Sequence, residues 1–356
     1  MIKPRHTRYV NFALQGGGAH GAFTWGVLDR LLDSDGVEFG WVSGTSAGAV
    51  NAVALAAGLC TGDGEAARVA AQACLRAVWT AVEKARVPDL TALLFSQMAD
   101  MTKLMSPYAF NPLGFDPLRR LLSAEVDFDR IRATRGPELL IAATDVATGR
   151  PRLFRRHEMR VEVVLASACL PAIHHAIEID GRAYWDGGFS ANPDLVNLAL
   201  ESPVEDTLIV QLNHANRPGV PKSASDIGDQ INAITFNQPF LRDCAVIAEA
   251  RQANLGWFAP KHGRTARLQR HRFHVIDAGR FTAGLSAQSK GKPDPKLLSY
   301  LFAAGRSEAT KWLGLHGNAV GKTDTAELDK RYLAPVPAPA AEMIERPERV
   351  EATAPG

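Results

Sequence analysis

A short strand-like run, Glu38 to Ser43, meets a helix-like run of small apolar residues, Ala47 to Cys60, across Gly44-Thr45-Ser46-Ala47-Gly48. Little room separates the two elements, and this restricts the fold more than any other feature of the chain. A strand that feeds straight into a helix through G-x-S-x-G belongs to an α/β architecture, and the tight elbow holds a serine hydroxyl exposed at the helix N-terminus. The glycines follow from the same geometry, because side chains at Gly44 and Gly48 would clash across the elbow.

The surrounding pattern repeats this alternation. Arg8 to Gln15 reads as a first strand, Gly16-Gly17-Gly18 as a turn, and Ala19 to Leu32 as a helix with Val27, Leu28, Leu31 and Leu32 on one face. Glu65 to Arg86 forms another helix, broken at Pro88, and Asp116-Pro117 opens a further one as cap and first helical residue. Leu139 to Thr144 is a strand, and Val161 to Ala168 a helix stopped by Pro171. Ile177 to Ile179 and Arg182 to Trp185 make a hairpin across Asp180-Gly181, and Thr207 to Leu212 is another strand. From Asp226 the chain is mostly helical, with a strand near Phe273 to Ile276 and a helix from Pro295 to about Leu313. Alternating strands and helices predict a three-layer sandwich around a mostly parallel sheet, with a mainly helical C-terminal extension.

A length of 356 residues suits one large α/β domain or a domain with an appendage. We expect a catalytic domain over 1–212, a helical region over 213–334 and a disordered tail over 335–356, rich in Pro, Ala and Glu. Residues 89–115 crowd Leu93, Phe95, Met98, Met101, Met105, Tyr108, Phe110 and Phe115 into a segment cut by Pro107 and Pro112. This is either core or an apolar insert that acts as a lid. The net charge of +2 gives no field for nucleic acid. Cys60, Cys74, Cys169 and Cys244 show neither metal-ligand spacing nor a disulfide framework. The most apolar window, Ala47 to Cys60, is shorter than a membrane span and contains Asn51. The default expectation is a cytoplasmic protein, with peripheral contact at a membrane or lipid surface left open. Oligomeric state is not legible.

Three glycine-bearing motifs follow strands: Gly16-Gly17-Gly18, Gly44 to Gly48, and Asp186-Gly187-Gly188. Parallel sheets place their sites at the carboxyl ends of the strands, so the three motifs should converge. Ester hydrolysis needs a nucleophile, a base and donors for an oxyanion. Ser46 is the candidate nucleophile, Gly16, Gly17 and Gly18 can offer N–H donors, and Asp186 is a candidate base whose pKa would rise on desolvation. Two other readings compete. Gly16-x-Gly18-x-x-Gly21 matches a dinucleotide fingerprint, but the acidic residue it needs is missing: Glu38 lies at the wrong end of the second strand. A histidine base stays open, with His214, His262, His271, His274 and His316 in hydrolase order, His214 the best placed, and His174 and His175 near Asp186.

Taken in order, Gly16-Gly17-Gly18-Ala19-His20-Gly21, Gly44-Thr45-Ser46-Ala47-Gly48 and Asp186-Gly187-Gly188 resemble the patatin-like phospholipase family over about residues 8–212. The resemblance implies a Ser-Asp dyad without a catalytic histidine: Ser46 as nucleophile, Asp186 as proton acceptor and the glycine loop as oxyanion hole. His20, Gly21, Gly44, Gly48, Gly187 and Gly188 support these motifs. It also implies hydrolysis of lipid or phospholipid acyl esters without metal or other cofactor. An acyltransferase or thioesterase using the same serine, and a lipid-surface binding protein retaining the fold, are the alternatives. One position departs from the pattern: the family usually carries Arg or Lys where this chain has His20. A titratable group there predicts weaker activity at high pH than a lysine would give.

Overall fold

Tyr9–Leu14 (β1), Gly21–Leu32 (α1), Glu38–Gly44 (β2), Ala47–Leu59 (α2) and Gly64–Lys84 (α3) open the chain as strand–helix alternation. Then come Pro107–Phe110 (α4), Pro117–Glu125 (α5), Phe128–Ala133 (α6), Leu139–Asp145 (β3), Pro151–Arg155 (β4), Val161–Ser167 (α7), Ile177–Ile179 (β5) and Arg182–Asp186 (β6). The chain continues through Val196–Glu201 (α8), Asp206–Gln211 (β7), Ala224–Gln252 (α9), Arg264–Arg270 (α10), Arg272–Asp277 (β8), Gly279–Thr282 (α11) and Pro295–His316 (α12). The computed structural model describes residues 8–85, 106–213, 220–253 and 263–334, apart from 284, 286 and 292. Most of the segment 89–115 and the whole tail 335–356 lie outside the described residues.

The strands form one eight-stranded sheet in the order β5-β6-β3-β2-β1-β7-β8, with β4 paired to β3. β1 runs parallel to both β2 and β7, β2 parallel to β3, and β7 parallel to β8. β4, β5 and β6 make the antiparallel pairs. Period-two alternation splits the central strands between two cores. Val10, Phe12 and Leu14 of β1 join Leu208 and Val210 of β7 in one core, packed on α1, α2, α3 and α12. Ala13, Leu140 and Ile209 face the other, against Leu198 of α8, Phe240 and Ile247 of α9 and Leu268 of α10. Burial on both faces makes these strands near-continuous apolar runs, and helices on each side complete three layers. The segment after residue 213 therefore adds β8 to the same sheet and α12 to the same core.

Several local expectations hold for the stated reasons. Asp116 caps α5, its side chain accepting from the Leu118 N–H, with Pro117 at the first helical position. Asp180 and Gly181 take positive φ, 51° and 76°, in the β5–β6 turn. α2 is buried over almost its whole length. The sequence reading missed β4, whose Pro151 sits at the first position of the strand, where a proline costs no ladder bond.

Candidate active site

The end of β2 turns into α2 at Ser46, which takes φ 54° and ψ −121°. A non-glycine residue held there stores about 1–3 kcal/mol of strain, so its surroundings must impose it. They do so by hydrogen bonds. The Ser46 N–H donates to the Ser167 hydroxyl at the end of α7 (2.9 Å), the Thr45 hydroxyl donates to the Ala191 carbonyl (2.8 Å), and the Gly48 N–H closes the turn on the Thr45 carbonyl (2.8 Å). A Cβ on Gly44 would stand 2.7 Å from the Gly48 carbonyl oxygen, the expected clash across the elbow. At Gly48 the obstacle is different: a Cβ would reach 2.1 Å from the carbonyl oxygen of Leu14, at the end of β1. Ala49 and Val50 donate their N–H groups to the Ser46 carbonyl, while that of Ala47 has no acceptor among the described residues.

Because β1 and β2 are parallel neighbours, the loop after β1 lies beside the elbow. Gln15 anchors its start, its side-chain oxygen accepting from the N–H groups of Leu212 and Asn213 at 2.8 Å each. The Gly16 N–H donates to Asn192 Oδ1 (2.8 Å), and Asn213 Nδ2 donates to the Gly16 carbonyl (3.0 Å). Gly16 is therefore a fixed point of the loop and not a free donor, which narrows the oxyanion expectation to its neighbours. Among the described residues no acceptor engages the N–H of Gly17 or Gly18. Gly18 has φ 56°, and a Cβ on it would lie 2.2 Å from the Lys290 carbonyl oxygen. Gly21 begins α1 against the Ala47 methyl group.

Asp186 arrives differently from the other two motifs. β6 runs antiparallel to β3, so its carboxyl end points back into the sheet, with Asp186 opposite Ala143. The expectation that all three motifs sit at carboxyl ends of parallel strands was wrong for this one. The residue still reaches the site because β6 is short and, of β3, pairs only with the last three residues, Ala143 to Asp145, just beyond Ile141, where the pairing of β3 with β2 ends. Its backbone is fixed there by the Thr144 hydroxyl on its carbonyl (2.8 Å) and by its own N–H on the Cys169 carbonyl (2.8 Å). One carboxylate oxygen accepts the Gly188 N–H at 2.7 Å. Burial pushes the Asp186 carboxyl up to about 7, against the opposing pull of the Gly188 N–H and the Ser46 hydroxyl.

Ser46, Asp186 and Gly16–Gly18 open into one cavity of about 470 Å³. Val50, Trp79, Val82, Leu118, Leu170 and Phe236 supply much of its apolar wall, and Asn213, Asp229, Asn232 and Lys290 its polar groups. An apolar pocket with a few convergent polar groups suits a ligand with a long apolar portion.

The histidines divide clearly. His174 lines the cavity, yet no hydrogen bond links it to Ser46 or Asp186, and its Nδ1 is buried without a partner. His175 stacks on Tyr108 and bonds to the Pro107 carbonyl. His271 pairs with Thr207, and His274 with Asp206 and Thr325. His316 ends α12. His214 and His262 lie outside the described residues. Glu38, the acid that a dinucleotide site would borrow, pairs with Arg68 at 2.7 Å at the start of β2.

The sequence model of the patatin-like phospholipase family matches residues 12–199. The chain belongs to this family. Its members act on lipid acyl esters, and the match spans the serine elbow, the glycine loop and Asp186. The chain is also similar to the crystal structure of VipD from Legionella pneumophila, at 14% identity over 88% of this chain and 67% of that one, with a TM-score of 0.42. No curated protein matches the sequence. None of the described helices is long and apolar enough to cross a membrane.

At the family's usual loop cation the structure corrects the sequence reading. His20 is 2% exposed, its Nε2 lies 2.7 Å from the Ser289 hydroxyl, and its Nδ1 has no partner. Burial, then the charge of Lys290, lowers its pKa to about 4, so it is neutral throughout the neutral and alkaline range. The expected loss of activity at high pH through His20 is withdrawn. Sequence reasoning also missed Ser167, Asn192 and Asn213. They act through hydrogen bonds to backbone groups far along the chain, and neither spacing nor composition marks them.

Proposed function

We propose that this patatin-like protein is a serine acyl hydrolase that cleaves lipid acyl esters through an acyl-enzyme. The observation that carries the reading is one juxtaposition: a strained, cavity-facing Ser46 beside a buried Asp186 of raised pKa. In the first step Asp186 takes the proton of the Ser46 hydroxyl as Oγ bonds to the ester carbonyl carbon. The carbonyl electron pair moves to oxygen, where the N–H groups of Gly17 and Gly18, with Ala47 at the N-terminus of α2, can receive it. Collapse breaks the bond to the alcohol, which leaves with the proton held on Asp186. Water then attacks the acyl-enzyme, Asp186 takes its proton, and Ser46 is released with that proton returned. A carboxyl poised near 7 suits both the acceptor and the donor halves of this cycle.

The test is covalent labelling of the pure protein with a fluorophosphonate, beside Ser46→Ala and Asp186→Asn. Loss of labelling in both folded variants supports the dyad. Loss in Ser46→Ala alone keeps a serine hydrolase but removes Asp186 as the base. No labelling of the wild type counts against an activated serine.

A further inference from the structure

The helix that follows Ser46 is built of small apolar residues with one exception. Asn51 sits in the middle of α2 and is fully buried. An amide at that place is a poor helix former and is costly to bury unless its groups are bonded. Its Nδ2 donates to the carbonyls of Ala47 (3.0 Å) and Gly21 (3.1 Å), and its Oδ1 accepts the indole N–H of Trp79 on α3 at 2.9 Å. One amide therefore joins the residue after Ser46, the first residue of α1 and a side chain in the cavity wall.

Trp79 is held on its other sides as well. It is 3% exposed, yet it lines the same cavity as Ser46, Ala47 and Val50. A Cβ on Gly21 would meet the Ala47 methyl group at 2.7 Å and the edge of the indole at 3.0 Å, so the bare glycine lets ring and elbow close on one another. Behind the indole the ring of Trp25 lies parallel to it at 6.3 Å, and Trp25 rests on Phe302 of α12 at 4.1 Å. A ring gripped at its N–H, its edge and its back has no room to swing aside.

We infer that Trp79 is a specificity-determining residue and Asn51 the residue that positions it: together they keep a rigid wall beside the nucleophile that admits straight acyl chains and rejects acyl groups branched next to the carbonyl. A straight chain can lie flat along the indole. A branch on the carbon next to the carbonyl needs sideways space in the part of the cavity nearest Ser46, where the wall cannot yield. This deepens the hydrolase reading and rests on it.

The experiment compares kcat/KM of the full-length wild type, Trp79→Ala, Trp79→Phe, Asn51→Leu and the double variant Asn51→Leu/Trp79→Phe on p-nitrophenyl octanoate and p-nitrophenyl 2-ethylhexanoate. The two esters are isomers, so their ratio reads branching and not total apolar surface; Ser46→Ala is the control. The straight-to-branched ratio should fall at least about tenfold in Trp79→Ala, as for a pocket wall removed. It should fall about threefold in Trp79→Phe and in Asn51→Leu, which break the same hydrogen bond from its two ends. The double variant should fall no further than the larger single loss. Should Asn51→Leu fail to fold, Asn51→Ser, which also withdraws the acceptor from the indole, takes its place. A ratio that stays constant in Trp79→Ala and Trp79→Phe, with turnover still dependent on Ser46, overturns this inference alone. Single losses that multiply in the double variant make Asn51 a structural residue only and overturn its positioning role. Turnover that persists in Ser46→Ala, or none in the wild type, overturns the hydrolase reading and the inference with it.

Discussion

The backbone N–H of Ser46 donates to the hydroxyl of Ser167 at 2.9 Å, across 121 positions of sequence. Ser167 ends α7 and is fully buried, so no water can replace it easily. Its hydroxyl is the acceptor that holds the elbow at φ 54°. Ser167→Ala should remove the acceptor of this part-buried N–H and destabilise the fold by about 1 kcal/mol. We expect a lower Tm in thermal melts and a larger loss in kcat than in KM, with Ser167→Thr restoring much of both. A melt and a kcat equal to wild type would show that the elbow keeps its strain without this acceptor.

The raised pKa of Asp186 has two consequences of opposite sign. In its proposed role as proton acceptor it must be ionised, so kcat/KM should fall as pH drops through about 7. Stability runs the other way. A folded-state pKa above the ordinary 3.8 means that the folded protein binds the proton more tightly than the unfolded chain. The favourable contribution is complete at low pH and is lost as pH rises through about 7. Asp186→Asn should therefore raise Tm relative to wild type, and by more at pH 8 than at pH 5. An equal difference in Tm at the two pH values would remove desolvation of Asp186 as the cause.

His20 should be silent in the pH profile of activity. With its pKa held near 4 by burial and by Lys290, it does not titrate between pH 6 and 9. His20→Gln, which can still meet Ser289, should reproduce the shape of the wild-type profile. His20→Lys should lose stability, because it buries an ammonium close to that of Lys290. A shifted alkaline limb in His20→Gln, measured on a soluble ester, would contradict this assignment.

Much of the fold was legible because it follows from local rules. The elbow, the Asp116 cap and the Asp180-Gly181 hairpin each rest on residues within a few positions of one another. Only the joint pattern of three motifs linked Ser46 with Asp186 in the sequence, and β6 runs antiparallel to β3, so its end is not the carboxyl end of a parallel strand. Antiparallel pairing of a short strand leaves no mark in its own sequence. β4 escaped because Pro151-Arg-Leu-Phe-Arg lacks the apolar alternation of an inner strand. Asn192 and Asn213 escaped because they bond to backbone groups of the glycine loop, and Lys290 because its backbone packs on Gly18, all reached through tertiary contact alone.

The two glycines after Asp186 should respond differently to a methyl group. A Cβ on Gly187 would lie 2.1 Å from the Ala142 carbonyl oxygen, and that backbone belongs to β3, paired on both sides. It cannot retreat without breaking ladder bonds. Gly187→Ala should cost about 3 kcal/mol or more and sharply lower the yield of folded protein. A Cβ on Gly188 would instead meet the ring of Phe236 at 2.3 Å. That ring sits on α9, tilted against Phe189 at 4.9 Å and half-buried at the cavity wall, so it can swing. Gly188→Ala should fold with a smaller loss of Tm. Its displaced ring should narrow the cavity and move preference toward shorter acyl chains, read as the ratio of kcat/KM for butyrate and dodecanoate p-nitrophenyl esters. Equal damage from both substitutions would mean that the Phe236 ring is as fixed as the backbone of β3, and would remove it as a gauge of chain length.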